Sequence, residues 1–338
     1  MNTSINKNIC CFGELLLRLS PELNGKWIND ASIPFYLGGA ELNVATALAK
    51  WDVPIKYCTA IPDNYLTAEI LKELSKKNID VSSVLLGGER LGMYFLPQGA
   101  DLKNAGVIYD RANSSFWNLK PGMLDWNDLL ADCNWLHLSA VSPALNQNTA
   151  AVCAEAIYVA RQKNMIVSVD LNYRSKLWQY GTPPPEIMIP MVEQCDVVMG
   201  NIWSAQQLLG VDTSLQESKG LSKEELIDAA NASIKLLQER FPRVKYIAYT
   251  FRLEEEYFGV LNHEGITTSS SSYPLEDVVD KVGSGDCFMA ALIYGIVNHS
   301  SAEDIINRAA LAAVGKMKEK GDATQQRMID IEQKMKSL

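Results

Sequence analysis

Two periods alternate along most of this 338-residue chain. Short apolar, β-branched runs are followed by longer segments in which apolar residues return with the helical repeat. IKYCTAI precedes NYLTAEILKELSKKNI, NWLHLSAV precedes NQNTAAVCAEAIYVARQKN, and MIVSVDLN precedes a proline-opened helix from Pro183. Further on, DVVMGN precedes IWSAQQLLG, and VKYIAYTF follows a long helical segment after Ser222. This order predicts parallel strands joined by helical crossovers, hence an α/β fold with a mainly parallel central sheet and helices on both faces. Ligands of such sheets sit at the carboxyl ends of the strands. Asp170, Asn172, Asn201 and Thr250 fall at or just after strand ends and are expected to line that edge.

Two stretches break the alternation. Residues 14–37 (ELLLRLSPELNGKWINDASIPFYL) and 89–112 (ERLGMYFLPQGADLKNAGVIYDRA) read as hairpins with Gly and Pro turns and no intervening helix. They are expected to form a small β-sheet lid over the site, with extra edge strands or a dimer surface as the plainer alternative. Residues 1–13, 38–88 and 113–338 then form the nucleotide- and substrate-binding body.

Composition narrows the classes of function. The chain is 47% hydrophobic and 21% charged, as an ordinary globular protein is. A formal net charge of -9 and the lack of a Lys or Arg run argue against nucleic-acid and anionic-lipid partners. The amino terminus lacks the features of a signal peptide, and no stretch approaches about 18 uninterrupted apolar residues, so the cytoplasm is expected. The seven cysteines are scattered and never form C-x-x-C, which reads as core packing. With three histidines, and His137 inside an apolar strand, neither a zinc site nor a histidine-based triad is supported.

The chemistry concentrates in DKVGSGDCF, from Asp280 to Phe288. A glycine turn feeding a helix is an anion site, because free backbone N–H groups and the positive end of the helix dipole face one point. The following carboxylate, Asp286, fits such a site if it accepts the proton of an attacking hydroxyl while Gly283, Ser284 and Gly285 hold the phosphoryl oxygens. The plainer alternative is a tight turn with Asp286 in the first turn of a helix. A Walker A loop is excluded, since Asp286 and Cys287 stand where Lys and Ser or Thr are needed. A dinucleotide fingerprint is excluded by position and by the missing third glycine.

VVDKVGSGDCFMAALIYGI (Val278 to Ile296) resembles the carboxyl-terminal signature of the ribokinase-like (PfkB) carbohydrate kinases, D-T-x-G-A-G-D. GGAELNVATALAKW (Gly38 to Trp51) resembles their amino-terminal glycine pair and helix. The resemblance spans almost the whole chain and implies the ribokinase-like three-layer fold with a β lid. It implies Asp286 as the base, the N–H groups of Val282 to Gly285 as the anion hole, and Gly38, Gly39 and Asn43 as sugar contacts. ATP and Mg²⁺ are implied, and a monovalent cation is allowed. On the nucleotide side it points to Asn201, Thr250, Arg252, Gly283 and Gly285, with no metal ligand assigned.

Within the family the chain is most similar to 2-keto-3-deoxygluconate kinases, through GMYFLPQG with Tyr94, YDRANSS with Tyr109 and Arg111, and DLNYRSKLW with Asn172 and Arg174. A sugar-acid kinase must neutralise a carboxylate, which a planar guanidinium does with paired hydrogen bonds. Three positions depart from the family: Lys281 replaces a Thr, Ser204 stands where N-x-x-E has Glu, and Arg252 replaces the Gly of T-x-G. The reading is an ATP-dependent kinase of the terminal hydroxyl of 2-keto-3-deoxygluconate, with a fructokinase-like enzyme or a non-catalytic sugar-acid sensor as alternatives. A homo-oligomer through the lid is a further expectation.

Overall fold

The computed structural model describes residues 7–97, 106–212, 215 and 220–337. Part of the second predicted hairpin, 98–105, and the first six residues of the amino-terminal segment lie outside them.

The central sheet has ten strands. From one edge to the other, nine of them run Ile266–Ser269, Glu256–His263, Tyr246–Arg252, Val197–Gly200, Ile166–Asp170, Cys133–Ser139, Asn8–Phe12, Ile55–Cys58 and Ile79–Asp80. The tenth, Tyr273–Pro274, pairs with Glu256–His263. From Tyr246–Arg252 to Ile79–Asp80 every pairing is parallel. The pairings that join Glu256–His263 to its neighbours are antiparallel. The expected mainly parallel sheet is therefore present, with an antiparallel margin at one edge.

Both faces of the sheet are dry, and one strand shows how. Cys10 and Phe12 enter one apolar core, while Ile9 and Cys11 enter the other. That is the two-residue alternation of a strand, with apolar residues at both phases because helices cover each side. The first core includes residues of the helices Gln147–Gln162, Pro184–Val192, Ile202–Leu209 and Lys223–Arg240. The second includes Ala40–Lys50, Ser284–Val297 and Ala302–Met317. Helix starts are set locally: Asn146 with Thr149, and Ser222 with Glu225, form reciprocal capping boxes. All seven cysteines are buried and unpaired. His137 is wholly buried with Nδ1 3.0 Å from Ser168 Oγ, and burial pushes its pKa down to about 3. It is a neutral core histidine.

The two interrupting stretches meet in one four-stranded sheet, ordered Phe35–Gly38, Leu16–Leu19, Gly92–Phe95, Ile108–Asp110. Its outer pairs are antiparallel and its central pair is parallel. The first stretch does contain a helical turn, Lys26–Asn29, which the Gly and Pro pattern did not predict. Register places Arg18, Tyr36, Tyr94 and Tyr109 in one row on one face. The neighbouring row, on the other face, is Leu19, Phe35, Phe95 and Ile108. Among the described residues, no helix is long and apolar enough to cross a membrane.

Candidate active site

A cavity of about 950 Å³ opens at the carboxyl ends of the central strands. Asp170, Gly200 and Thr250 reach it from those ends, the glycine turn forms another wall, and Leu16, Tyr94 and Tyr109 of the small sheet face it. The helix that follows the turn runs from Ser284 to Val297 and has Gly283 as its amino-terminal cap. Gly283 sits at φ 79°, and a side chain there would collide with the Asp322 carbonyl, so backbone geometry and packing both demand glycine. At Gly285 an added Cβ would meet nothing, since that position faces open cavity. Among the described residues, the N–H groups of Gly283, Gly285 and Asp286 reach no acceptor, and that of Ser284 makes only a 3.4 Å contact with Lys281 O. Val282 differs from expectation: its N–H donates to Asp280 Oδ1 at 3.0 Å and is spent on the turn itself. The donors left for an anion are those of residues 283 to 286.

Asp286 is buried and accepts a 2.7 Å hydrogen bond from Asn43 Nδ2. Burial pushes its pKa up to about 8, helped by the carboxylates of Asp170 and Glu41 and opposed by Asn43 and Arg174. Such a value suits a proton acceptor working near neutral pH. Asn43 Oδ1, at the start of the helix Ala40–Lys50, is buried without a partner. A buried acceptor of this kind costs free energy until a donor reaches it, and a substrate hydroxyl is such a donor.

The remaining predicted positions divide by what they touch. Gly39, Asn43, Tyr94, Tyr109, Arg111, Asn172, Arg174, Asn201, Thr250, Arg252, Gly283, Ser284, Gly285 and Asp286 all line the cavity. Gly38 does not, because its missing side chain makes room for the Asp322 carboxylate. The two arginines expected to share a substrate carboxylate are not equivalent. Arg111 is buried and bound through Nε to Glu14 Oε2 at 2.6 Å. Arg174 is half-buried, donates to the Tyr173 carbonyl, and pairs with no carboxylate among the described residues. Tyr94 donates its hydroxyl to Asp322 Oδ2 at 2.9 Å, so it faces the cavity with its ring.

On the nucleotide side, Asn201 Oδ1 caps its helix by accepting the Ser204 N–H at 2.9 Å, which leaves the amide NH₂ to face a ligand. An amide NH₂ of this kind can donate to a phosphate oxygen and cannot coordinate a metal. Lys281 lines the cavity and, among the described residues, has no carboxylate within ion-pair distance. Asp170, expected at this edge of the sheet but given no role from sequence, is buried against the cavity. Burial raises its pKa to about 6. Arg18 and Glu14, which pair with Asp322 and Arg111, carry no local signal and were not predicted. No group of three or more His, Cys, Asp or Glu forms a metal cage among the described residues. The donor set fits a Mg²⁺ ion held mostly by nucleotide oxygens and water, with Asp170 among the carboxylates that line the cavity.

A glycine turn at a helix start, a buried carboxylate one residue beyond it and a strand-end cavity on a three-layer α/β body define a phosphoryl-transferring enzyme. The chain belongs to the pfkB family of carbohydrate kinases, whose model matches residues 6–241 and 260–327. A solved structure of 2-dehydro-3-deoxygluconokinase from Thermotoga maritima is 30% identical, with a TM-score of 0.87, and the match covers 98% of this chain and 99% of that one. The chain is also 25% identical to 2-dehydro-3-deoxygalactonokinase of Haloferax volcanii, over 92% of this chain and 91% of that protein. It is 23% identical to 2-dehydro-3-deoxygluconokinase of Dickeya dadantii, over 91% and 93% respectively.

Proposed function

We propose that this carbohydrate kinase is a cytoplasmic enzyme that transfers the terminal phosphoryl group of ATP to the terminal hydroxyl of 2-keto-3-deoxygluconate. The observation that carries the reading is one cavity holding Asp286, the unmet N–H groups of the glycine turn, and an Arg174 that pairs with no carboxylate among the described residues. In this scheme Arg174 pairs with the sugar-acid carboxylate, and Tyr94 and Tyr109 bound the chain of the sugar. Asn43 accepts a hydrogen bond from a sugar hydroxyl through Oδ1 and keeps Asp286 aimed through Nδ2. Asp286 removes the proton from the attacking oxygen, a step worth about 10²–10⁴ in rate. The N–H groups of residues 283 to 286 stay fixed on the transferring oxygens, where each well-placed donor is worth about 10²–10³. Asn201, Thr250, Arg252 and Lys281 meet the nucleotide. Mg²⁺, when bound, supplies neutralisation of phosphate charge beside Asp170.

A coupled ADP-release assay over 2-keto-3-deoxygluconate, its galactonate epimer, fructose and ribose tests the substrate. Sugar acids should exceed neutral sugars in kcat/KM by at least about tenfold, the scale of one charge-assisted pair. Preference for fructose would overturn the sugar-acid reading, and binding without turnover would leave a sensor.

The outer face of the small sheet is assigned to a second copy of the chain. Its row of Leu19, Phe35, Phe95 and Ile108 is apolar, with Phe35 58% and Ile108 63% exposed. In a chain of net charge -9 this uncharged row brings no like charges of its own against a second copy. Phe35→Glu combined with Ile108→Asp should give a monomer in sedimentation velocity. A wild-type monomer at micromolar concentration would refute the assignment.

A further inference from the structure

Lys316 is wholly buried near the end of the helix Ala302–Met317. Its Nζ donates to two main-chain carbonyls, Asp280 O at 3.4 Å and Glu319 O at 3.3 Å. The first belongs to the segment that opens the glycine turn, and the second to the loop that packs beneath it. Two further bonds stitch the same places together, since the N–H groups of Val279 and Asp280 both donate to Met317 O, at 2.8 and 3.0 Å. Behind the turn lie two carboxylates, Asp280 and Asp322. Arg18 joins them, with Nη1 and Nη2 on Asp280 and Nε 2.7 Å from Asp322. Arg18 alone leaves that cluster one charge negative. Lys316 adds a second positive charge there, directly behind donors whose front must receive phosphate oxygens.

Burying an ammonium is costly and is tolerated only where the surroundings repay it. Burial pulls the Lys316 pKa down while Asp280, Asp322 and Glu319 hold it up. We infer that Lys316 is a positioning residue: a cation built into the chain that braces the phosphoryl-binding turn from behind and offsets negative charge there. Its expected effect is on nucleotide phosphates, which it never touches. An ammonium among carbonyl and carboxylate oxygens also occupies the kind of space that a free ammonium or potassium ion would fill. The wild-type enzyme should therefore be indifferent to which monovalent cation is in the buffer.

The inference rests on the kinase reading, and its test separates the two. Lys316→Met keeps the length and removes the charge, whereas Lys316→Ala also opens the space. At constant ionic strength, Lys316→Met should lower kcat/KM for ATP by about tenfold or more, as misplacement of a reacting group does. Lys316→Ala should regain several-fold in ammonium or potassium chloride, and none of it in tetramethylammonium chloride, whose cation is too large. Kinetics of Lys316→Met within twofold of wild type would overturn the inference, as would a Lys316→Ala enzyme deaf to small cations. If neither variant folds, the wild type decides: unchanged kcat across sodium, potassium, ammonium and tetramethylammonium salts supports the built-in cation, and a requirement for added potassium refutes it. ADP affinity by calorimetry, weaker in Lys316→Met than in wild type, reads the same effect even if no sugar acid is turned over; equal affinities would count against it.

Discussion

The two ends of the central sheet each carry a charged hollow, and they differ in how fully their groups are used. At the amino ends of the strands, a hollow of about 860 Å³ is lined by Arg161, Asp196, Arg240 and Arg243. Arg161 Nη1 lies 2.7 Å from both Asp196 Oδ2 and the Met165 carbonyl, and Arg240 donates to the Leu209 carbonyl at 2.7 Å. Asp196 also accepts the Val167 N–H at 2.9 Å. Arg161 and Asp196 are thus spent on each other and on the backbone that closes the fold. At the carboxyl ends, Asn43 Oδ1, the N–H groups of the turn and Arg174 keep unmet capacity. Both hollows are concave and charged, so concavity and charge do not mark a site; leftover bonding capacity does, because each unmet group is a free-energy cost that a ligand removes.

The largest effect should follow from Asp286→Asn. Its kcat should fall at least about 10²-fold, while its melting temperature at pH 8 should not fall. Asp286 titrates near pH 8 when folded and near an ordinary carboxyl value when unfolded, so the native state holds the extra proton across that window. Stability from this group is therefore present at low pH and declines as pH rises toward 8, and Asn removes the decline. A variant with near-wild-type turnover would end the assignment of Asp286 as base.

Arg174→Ala should raise KM for the sugar acid about 10–100-fold, the range of one lost charge-assisted pair, and leave fructose and ribose unaffected. Equal losses on neutral sugars would show that Arg174 is no freer than Arg161. Next in size is the pH dependence. Asp170 and Asp286 form a pair of carboxylates that burial raises to about 6 and about 8, and the Asp170 charge contributes to the rise at Asp286. The kcat/KM for sugar acid should climb about tenfold per unit on the acid side and flatten near pH 8. Asp170→Asn removes a neighbouring negative charge and should move that limb to lower pH; a limb that stays put would detach it from this pair.

The smallest effect on catalysis should come from the other hollow. Arg161→Ala should cost about 1–3 kcal/mol of stability, through lost charge-assisted bonds, yet leave kcat and KM within twofold. Lost activity without lost stability would reverse the contrast between the two ends.

Much of this was legible in the chain. Strand and helix periods are local properties, so the order of crossovers and the strand-end placement of Asn172, Asn201 and Thr250 could be read directly. The glycine turn could be read as well, because an anion hole is built from consecutive backbone groups. The antiparallel margin, the Lys26–Asn29 turn and the joining of two distant hairpins into one sheet depend on tertiary pairing, which local pattern does not encode. The same holds for the charges. YDRANSS and DLNYRSKLW offer two arginines beside tyrosines, and nothing in either stretch says that Glu14, 97 positions away, consumes part of Arg111 while Arg174 pairs with no carboxylate among the described residues. Arg18 meets Asp280 across 262 positions. The sequence by itself determined which groups are available and which backbone can bind an anion. Only the tertiary structure decided which charges are already spent, because electrostatic pairing is set by distance in space and by burial, and both come into being when the chain closes on itself.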